Sequence, residues 1–546
     1  MRILKPVLFT AIASMALVSC KSISSIPVPK ASNVVVNATA KKAKLNDVEK
    51  DNWQHLDLEK DSIPGMSVGK AYEFLKGKKG VQVIVGVVDS GTDLKHEDLV
   101  DVAWVNTKEI PGNGIDDDKN GFVDDINGWN FLGKIYKENL EADRIVKNPK
   151  IIDEETYKVV KAEYDKKVKD AKGRKARFGQ MLKGVTNADN ALTKHFGTKD
   201  YTKEQVMSLK SDDKALMRNA SVAKQMFGFG LSSLGQAKEE LTKLVSTADE
   251  LLTGEALKKD YRAVLGDNPE DINDKPGYGD GNTGHSIKSE AHGSHVSGII
   301  GATRNNGKGM NGVATNVKIM AVRAVPDGDE YDKDVALGIR YAVDNGAKVI
   351  NTSFGKAYSP HKQWVYDAIK YAAEKDVLIV NAAGNDGKNI DVERTYPLDS
   401  PDLKTEVSDN FITIGAMSAN YNENLPAGFS NYGKINVDVF APGVQVHSTT
   451  PENGYAKFSG TSMAAPATAG VAALIRSYYP KLSASQVKHI LMNSGTLINF
   501  KVVKPGSKSR KNPKGELVPF SELSVSGRVV NAYNALRMAD QMVNGK

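Results

Sequence analysis

Ser462 stands in the string Gly460-Thr461-Ser462-Met463-Ala464-Ala465-Pro466, with small residues on both sides. A serine hydroxyl is a weak nucleophile at its own pKa. To attack a carbonyl it needs a base beside it and donors for the oxyanion in front. Ala467–Ser477 continues with a helix-like pattern of Ala, Val, Leu and Ile. A helix N-terminus offers free N–H groups and a positive dipole end to a developing negative charge. Small neighbours would let a peptide backbone approach. The same residues also suit a tight strand-to-helix turn in which the serine only caps the helix. Partners elsewhere in the chain decide between the two.

Three segments qualify. Val81–Val88 (VQVIVGVV) is rich in β-branched residues and reads as a buried parallel strand ending in Asp89-Ser90-Gly91-Thr92. A carboxylate at the C-terminal end of a central strand lies on the edge where open α/β sheets place their chemistry. His292-Gly293-Ser294-His295-Val296-Ser297-Gly298 brings two imidazoles. Leu378–Val380 reads as another core strand, followed by Asn381-Ala382-Ala383-Gly384-Asn385; taken alone, an Asn after a strand is a turn residue.

In the chain order Asp, His, Ser, these motifs resemble those of the subtilisin-like serine proteases, the subtilase family. The resemblance implies Ser462 as nucleophile and His292 as the base that hands the proton to the leaving amine. Asp89 would fix the imidazole tautomer and stabilise the imidazolium, while His295 is expected to be packed or hydrogen-bonded. Asn385 would donate to the oxyanion together with the Ser462 backbone N–H. Val349-Ile350-Asn351-Thr352-Ser353-Phe354-Gly355 resembles the family's N-x-S-L-G strand, with Phe354 where Leu is commoner. Ser353, Phe354 and Gly355 would pair with a bound polypeptide as an added strand. With Ala382, Ala383 and Gly384 they would line the primary specificity pocket. No acidic cluster in these segments favours basic side chains, so a broad, mostly apolar preference is expected. The function implied is a serine endopeptidase needing no organic cofactor. Two other readings stay open: a catalytically retired binding protein on the same fold, and a dedicated processing protease for one partner.

A second chemical site lies in Asn113–Phe131 (NGIDDDKNGFVDDINGWNF). Asp116, Asp118 and Asn120 alternate, Gly121 permits a sharp turn, and Asp125 follows. This opens like a D-x-[DN]-x-[DN]-G calcium loop, with the Phe122 carbonyl at the backbone-ligand position. Asn127 falls where an EF-hand has Glu, and no helix–loop–helix setting is evident. Structural Ca²⁺ is the expectation; an acidic Asx-turn loop without metal is the alternative.

The motifs need a scaffold. From Val317 onward strands and helices alternate: Val317–Val325, Asp334–Asn345, the Ser353 strand, Lys362–Lys375, then strands at Leu378–Val380, Asn410–Ser418 and Ile435–Val439. Helices at Ser483–Ser494 and Val529–Met542 close the chain. This predicts an α/β fold with a doubly wound, mostly parallel sheet. The catalytic domain is expected over 52–137 and 283–546, interrupted by an insertion at 138–282. No proline occurs between Pro149 and Pro269, and Tyr157–Leu182, Lys203–Phe227 and Gly235–Leu252 read as amphipathic helices. Lys150–Arg262 carries 23 basic and 17 acidic residues, a net of +6 against +7 for all 546 residues. A solvated helical bundle is expected there, a lid or a docking surface for an acidic partner being the alternatives.

The overall charge gives no case for nucleic-acid binding, and no obligate protein partner is evident. Residues 1–19 have the layout of a signal peptide: Arg2 and Lys5, then an apolar Val7–Val18. Leu17-Val18-Ser19-Cys20 looks like a bacterial lipobox, and Cys20 is the only cysteine, so no internal disulfide exists. The implied state is a lipoprotein anchored to a membrane through Cys20, facing the periplasm or the cell exterior; ordinary secretion is the alternative. Residues 20–51 read as a tether, too short for the family's usual inhibitor-like prodomain, and no C-terminal binding domain is expected.

Overall fold

The computed structural model describes residues 27–31, 38–39, 41–284 and 290–545. Cys20 and the expected signal segment lie outside them. Among the described residues no helix is long and apolar enough to cross a membrane. The seven main strands are β1 (Val83–Asp89), β2 (Gly128–Asn130), β3 (Val317–Arg323), β4 (Val349–Thr352), β5 (Leu378–Ala382), β6 (Phe411–Met417) and β7 (Val439–Pro442). A hairpin of β8 (Val446–Thr450) and β9 (Gly454–Phe458) precedes β10 (Thr496–Leu497), a second hairpin of β11 (Lys501–Val503) and β12 (Leu517–Pro519), and β13 (Arg528–Val529). The nine-stranded sheet runs β10-β13-β7-β6-β5-β4-β1-β3-β2. Its pairings from β2 to β7 are all parallel, as the alternation of strand and helix predicts.

The β-branched run of β1 is apolar on both faces because both are covered. Val83, Val85 and Val87 enter one core layer, whereas Val88 and Ile84 enter the other. Register then aligns the chemistry. Asp89 pairs with Arg323, Val88 with Thr352, and Thr352 with Asn381. Asp89, Ser353 and Ala382 therefore leave the sheet at one edge, beside the point where β3 and β4 diverge from β1.

An N-terminal arm wraps this core with α1 (Asp47–Asn52), α2 (Leu58–Asp61) and α3 (Val68–Leu75). Trp53 is buried there and its indole N–H donates to the Val444 carbonyl at 3.1 Å. The insertion contributes α4 (Glu141–Lys147), α5 (Glu154–Phe196), α6 (Lys203–Ser208), α7 (Lys214–Gly228), α8 (Leu234–Thr253) and α9 (Glu255–Lys258). The chain after the insertion adds α10 (Ala291–Gly301), α11 (Asp332–Asp344), α12 (Lys362–Glu374), α13 (Thr461–Tyr478), α14 (Ala484–Ser494) and α15 (Ala532–Asn544).

Four predicted elements differ from those observed. The closing helix expected from Val529 starts at Ala532, capped by Asn531, because Val529 pairs in β13. The helix expected over Tyr157–Leu182 runs 43 residues, from Glu154 to Phe196, about 65 Å at the usual rise. Val185, Ala188 and Leu192 keep its apolar stripe going beneath a polar surface. Lys203–Phe227 is two helices, because Asp213 accepts from the N–H groups of Ala215 and Leu216 and starts a new one. The strand expected at Ile435–Val439 begins only at Val439. The carboxylate of Asp391 collects the N–H groups of Lys434, Ile435 and Asn436, which holds that stretch in a loop.

The far part of the insertion has a core of its own, in which Val185, Ala188 and Leu192 meet Leu216, Ala220 and Leu241. It shares none of these residues with the two layers around the sheet. Leu192→Ala is therefore expected to cost about 2–4 kcal/mol locally. Limited trypsin digestion should cut the variant sooner within residues 154–253, while the sheet region keeps its wild-type resistance.

Candidate functional site

Asp89 is fully buried at the end of β1, and its carboxylate meets His292 Nδ1 at 2.7 Å and the Ser90 N–H at 2.7 Å. His292 is the second residue of α10, and its side chain is 37% exposed, so the ring is sealed on the Asp89 side and open on the other. Burial works against protonation of this imidazole. The Asp89 charge and hydrogen bond outweigh it and hold His292 above its ordinary value. Gly293 makes the approach possible: a Cβ there would stand 2.6 Å from the Ser90 carbonyl oxygen. Glu290, just ahead of the helix, is bound through Arg323 of β3, whose guanidinium also takes the carbonyls of Gly133 and Ile135. The start of α10 is thus tied to the sheet edge.

Ser462 is the second residue of α13, a helix buried nearly all round. Its hydroxyl donates to the Ser353 carbonyl at 3.0 Å, and the Ser353 hydroxyl donates back to the Ser462 carbonyl at 3.0 Å. Pro466 explains why that carbonyl is available. Lacking an N–H, it cannot make the helical bond to Ser462 four residues earlier. The proline in the nucleophile string thereby frees an acceptor that locks β4 to the head of α13.

Asn385 is exposed, but its carboxamide oxygen is fixed by the Thr461 N–H at 2.8 Å and the Thr461 hydroxyl at 3.0 Å. That assignment turns the Nδ2 donors outward. A Cβ built on Gly460 would lie 3.5 Å from Asn385 Nδ2 and 3.6 Å from the Ser462 nitrogen. The two donors border one small space, kept open because residue 460 is glycine. Thr461 and Pro466 were quoted in the motif without roles, and only their contacts reveal what they do.

Ser353 and Phe354 follow β4 and Gly355 is exposed at its outer end, while the Phe354 ring lies against the core. Ala382 and Ala383 are buried. The backbones of Ala383 and Gly384 are internally bonded to Ile414, Asn431 and the Thr461 hydroxyl. Their backbone groups are thus already committed, whereas Gly355 is an exposed residue. Gly384 has φ +102°, and a Cβ would strike the Asn431 amide at 2.4 Å. His295 stands apart from this chemistry. It stacks on Phe458 at 4.2 Å and bonds the Ala456 carbonyl, and burial pushes it down to about 3.

The acidic loop is arranged differently from the expected ligand set. Carboxylate oxygens of Glu109, Asp116 and Asp118 lie within 4.8 Å of one another. Glu109 escaped the motif because it precedes the loop. Asp125 is not in the cluster: Asn106, Asn120 and Tyr341 donate to it at 2.7, 3.0 and 2.6 Å. Burial raises it above the ordinary carboxylate range against those donors. Asn120 is likewise engaged, accepting from the Phe122 N–H and donating to Asp125, and the Phe122 ring packs on Trp129 and Tyr341.

The chain is 43% identical over 188 residues to the thermophilic serine proteinase of Bacillus sp. (strain AK1), an overlap covering 34% of this chain and 42% of that one. It is 37% identical over 218 residues to subtilisin DY of Bacillus licheniformis, covering 39% and 73% respectively. It is also 37% identical over 237 residues to the cell wall-associated protease of Bacillus subtilis (strain 168), covering 43% and 24%. The chain thus spans less than half the length of two of these relatives. The model of the subtilase family matches residues 80–517, well over half of the sequence and all four catalytic-edge motifs: the chain belongs to the subtilase family.

Proposed function

We propose that this chain is a serine endopeptidase acting on polypeptides, and the observation that carries the reading is the 2.7 Å contact of His292 Nδ1 with buried Asp89 on the sheet edge shared with Ser462. Rotation of the Ser462 hydroxyl away from the Ser353 carbonyl presents Oγ to His292 Nε2. Oγ attacks the peptide carbonyl carbon as its proton passes to Nε2. Asp89 accepts the Nδ1 proton bond throughout and stabilises the imidazolium. The carbonyl oxygen becomes an oxyanion in the space bordered by Asn385 Nδ2 and the Ser462 N–H, at the positive end of α13. His292 then protonates the leaving amine as the C–N bond breaks; a water, deprotonated by the same nitrogen, attacks the acyl carbonyl, and that proton passes to Ser462 Oγ as the ester bond breaks. Ser353, Phe354 and Gly355 would pair with the substrate backbone, with Ala382, Ala383 and Gly384 as pocket wall.

The acidic loop fits a structural Ca²⁺ held by Glu109, Asp116 and Asp118: three convergent carboxylates face one another, with the Lys108 ammonium 3.8 Å from Asp118 as a nearby cation. Oxygen ligands of this kind suit a hard cation. Lipid attachment at Cys20 and anchoring to the outer membrane complete the reading, supported by the sequence of residues 1–20. Labelling with a fatty-acid analogue should be lost in Cys20→Ala.

Ser462→Ala is expected to lower kcat roughly 10⁶-fold, and Asn385→Ala roughly 10²–10³-fold, measured on a peptide p-nitroanilide. A Ser462→Ala variant with near wild-type turnover would end the proposal. The acid limb of kcat/KM should have its midpoint above the ordinary histidine value of about 6.5, because the protonated imidazole is inactive as a base and Asp89 favours that form. Asp89→Asn should move the midpoint downward. For the calcium loop, chelation should lower the Tm of the wild type, since ligand at a hundred times Kd adds about 2.7 kcal/mol. The Asp116→Asn/Asp118→Asn variant should scarcely respond; equal shifts in both proteins would place any bound calcium elsewhere.

A further inference from the structure

Both ends of the insertion close on one short segment, the stretch that runs from the end of β3 into the first turn of α11. At the entry, Arg144 of α4 donates to the Asp329 carbonyl at 2.9 Å and the Glu330 carbonyl at 3.0 Å. It is oriented by Glu141, whose own N–H donates to the Asp329 carboxylate at 2.7 Å. At the exit, Arg262 is doubly bonded to Asp334 at 2.8 Å. The Tyr331 ring sits between the two guanidinium groups, 3.8 Å from Arg144 and 4.4 Å from Arg262. Upstream, residues 136–139 pair with 327–329, the Glu138 N–H donating to the Asp327 carbonyl at 3.0 Å.

The same cluster reaches the Ser353–Gly355 edge, the wall that would pair with substrate. Lys356 follows Ser353–Gly355 directly, and its backbone is bonded twice to Tyr396 at 2.9 Å. Its buried ammonium contacts Glu141 at 2.6 Å, Asp332 at 2.9 Å and the Glu330 carbonyl at 2.8 Å. Lys356, Val335, Val365 and Tyr396 line a recess of about 10 Å³, room for a single water. An ammonium in such a place is tolerable only while carboxylates neutralise it, and one of the two comes from the insertion. Farther along, the Tyr358 hydroxyl donates to Glu163 of α5 at 2.6 Å, a second tie between this wall and the insertion.

We propose that Glu141 and Arg144 are positioning residues for substrate: by clamping the Lys356 ammonium and the 329–330 carbonyls in one buried cluster they hold the Ser353–Gly355 edge, on which an extended substrate would pair, in a fixed place. This rests on the protease reading. The insertion is then neither a detached ornament nor a lid over the nucleophile. It is a brace behind the wall on which an extended substrate lies, and its far bundle is free of that duty. Remote substrate contacts would be the ones affected, leaving the triad and the oxyanion donors in place.

The test compares N-acetyl-Ala-Ala-Pro-Phe p-nitroanilide with N-acetyl-Phe p-nitroanilide on the full chain. For Arg144→Met, KM on the tetrapeptide should rise about tenfold with kcat within about twofold, while kcat/KM on the short substrate stays within about twofold. Arg144→Lys, which keeps a donor for one carbonyl, should recover part of the loss. Leu192→Ala, in the far core, should leave both substrates unchanged. Should Arg144→Met fail to fold, Glu141→Gln, which keeps the side-chain shape and one acceptor for Arg144 and Lys356, carries the same expectation with a smaller rise in KM. A folded variant in which both substrates change by one factor, or neither changes, overturns the proposal and leaves the protease reading intact. A wild-type chain inert toward both substrates overturns the protease reading itself and this proposal with it.

Discussion

Asp89 can hold the His292 imidazole because it is a buried carboxylate at the end of a strand that cannot shift register. Val83, Val85 and Val87 are committed to one core layer and Ile84 and Val88 to the other. A slip of one residue would turn every one of them to the wrong layer. The parallel pairings to β3 and β4 then bring Arg323 and Thr352 level with the chemistry. Through them come Glu290 and the head of α10 on one side, Ser353 and the head of α13 on the other. The site is exact because the hydrophobic burial of β1 is exact.

Polar groups near that edge are supported in layers. Thr461 fixes the oxygen of Asn385 so that its nitrogen faces outward. Ser353 both accepts from and donates to Ser462. Such preorganisation matters because donors already aimed at a developing charge need no rearrangement as the barrier is crossed. Small residues serve the same end: Gly293 admits the β1 exit loop and Gly460 keeps the donor space clear.

Charge is buried where the insertion joins. Lys356, Arg144, Glu141, Asp332, Arg262 and Asp334 are all largely out of solvent. Burial alone would disfavour ionised Glu141, yet Lys356 and Arg144 hold its carboxyl down to about 2, while burial pushes neighbouring Glu330 up to about 8. Ion pairs of this kind contribute little net stability over apolar packing, but breaking one is costly. They suit a junction that must have one geometry. The far bundle, packed through Val185, Leu192 and Leu241, relies on ordinary apolar contacts.

The sequence by itself determined the family and the sheet. Asp89, His292, Asn385 and Ser462 stand in local strings whose residue types carry their own meaning, and the β-branched run before Asp89 is legible because strand burial is a local period. It placed most helix positions for the same reason. Exact ends were less legible where a single side chain intervenes, as Asp213 does at α7 and Asp391 does before β7. What only the tertiary structure decided were partnerships across long separations. Glu109 joins Asp116 and Asp118 while Asp125 turns away to Tyr341, 216 positions along the chain. Arg144 meets Glu330 across 186 positions, and Lys356 meets Glu141 across 215. No periodicity records such pairs, because a charged side chain reads alike in sequence whether it faces water or a buried partner; the packing of the surrounding backbone makes the choice.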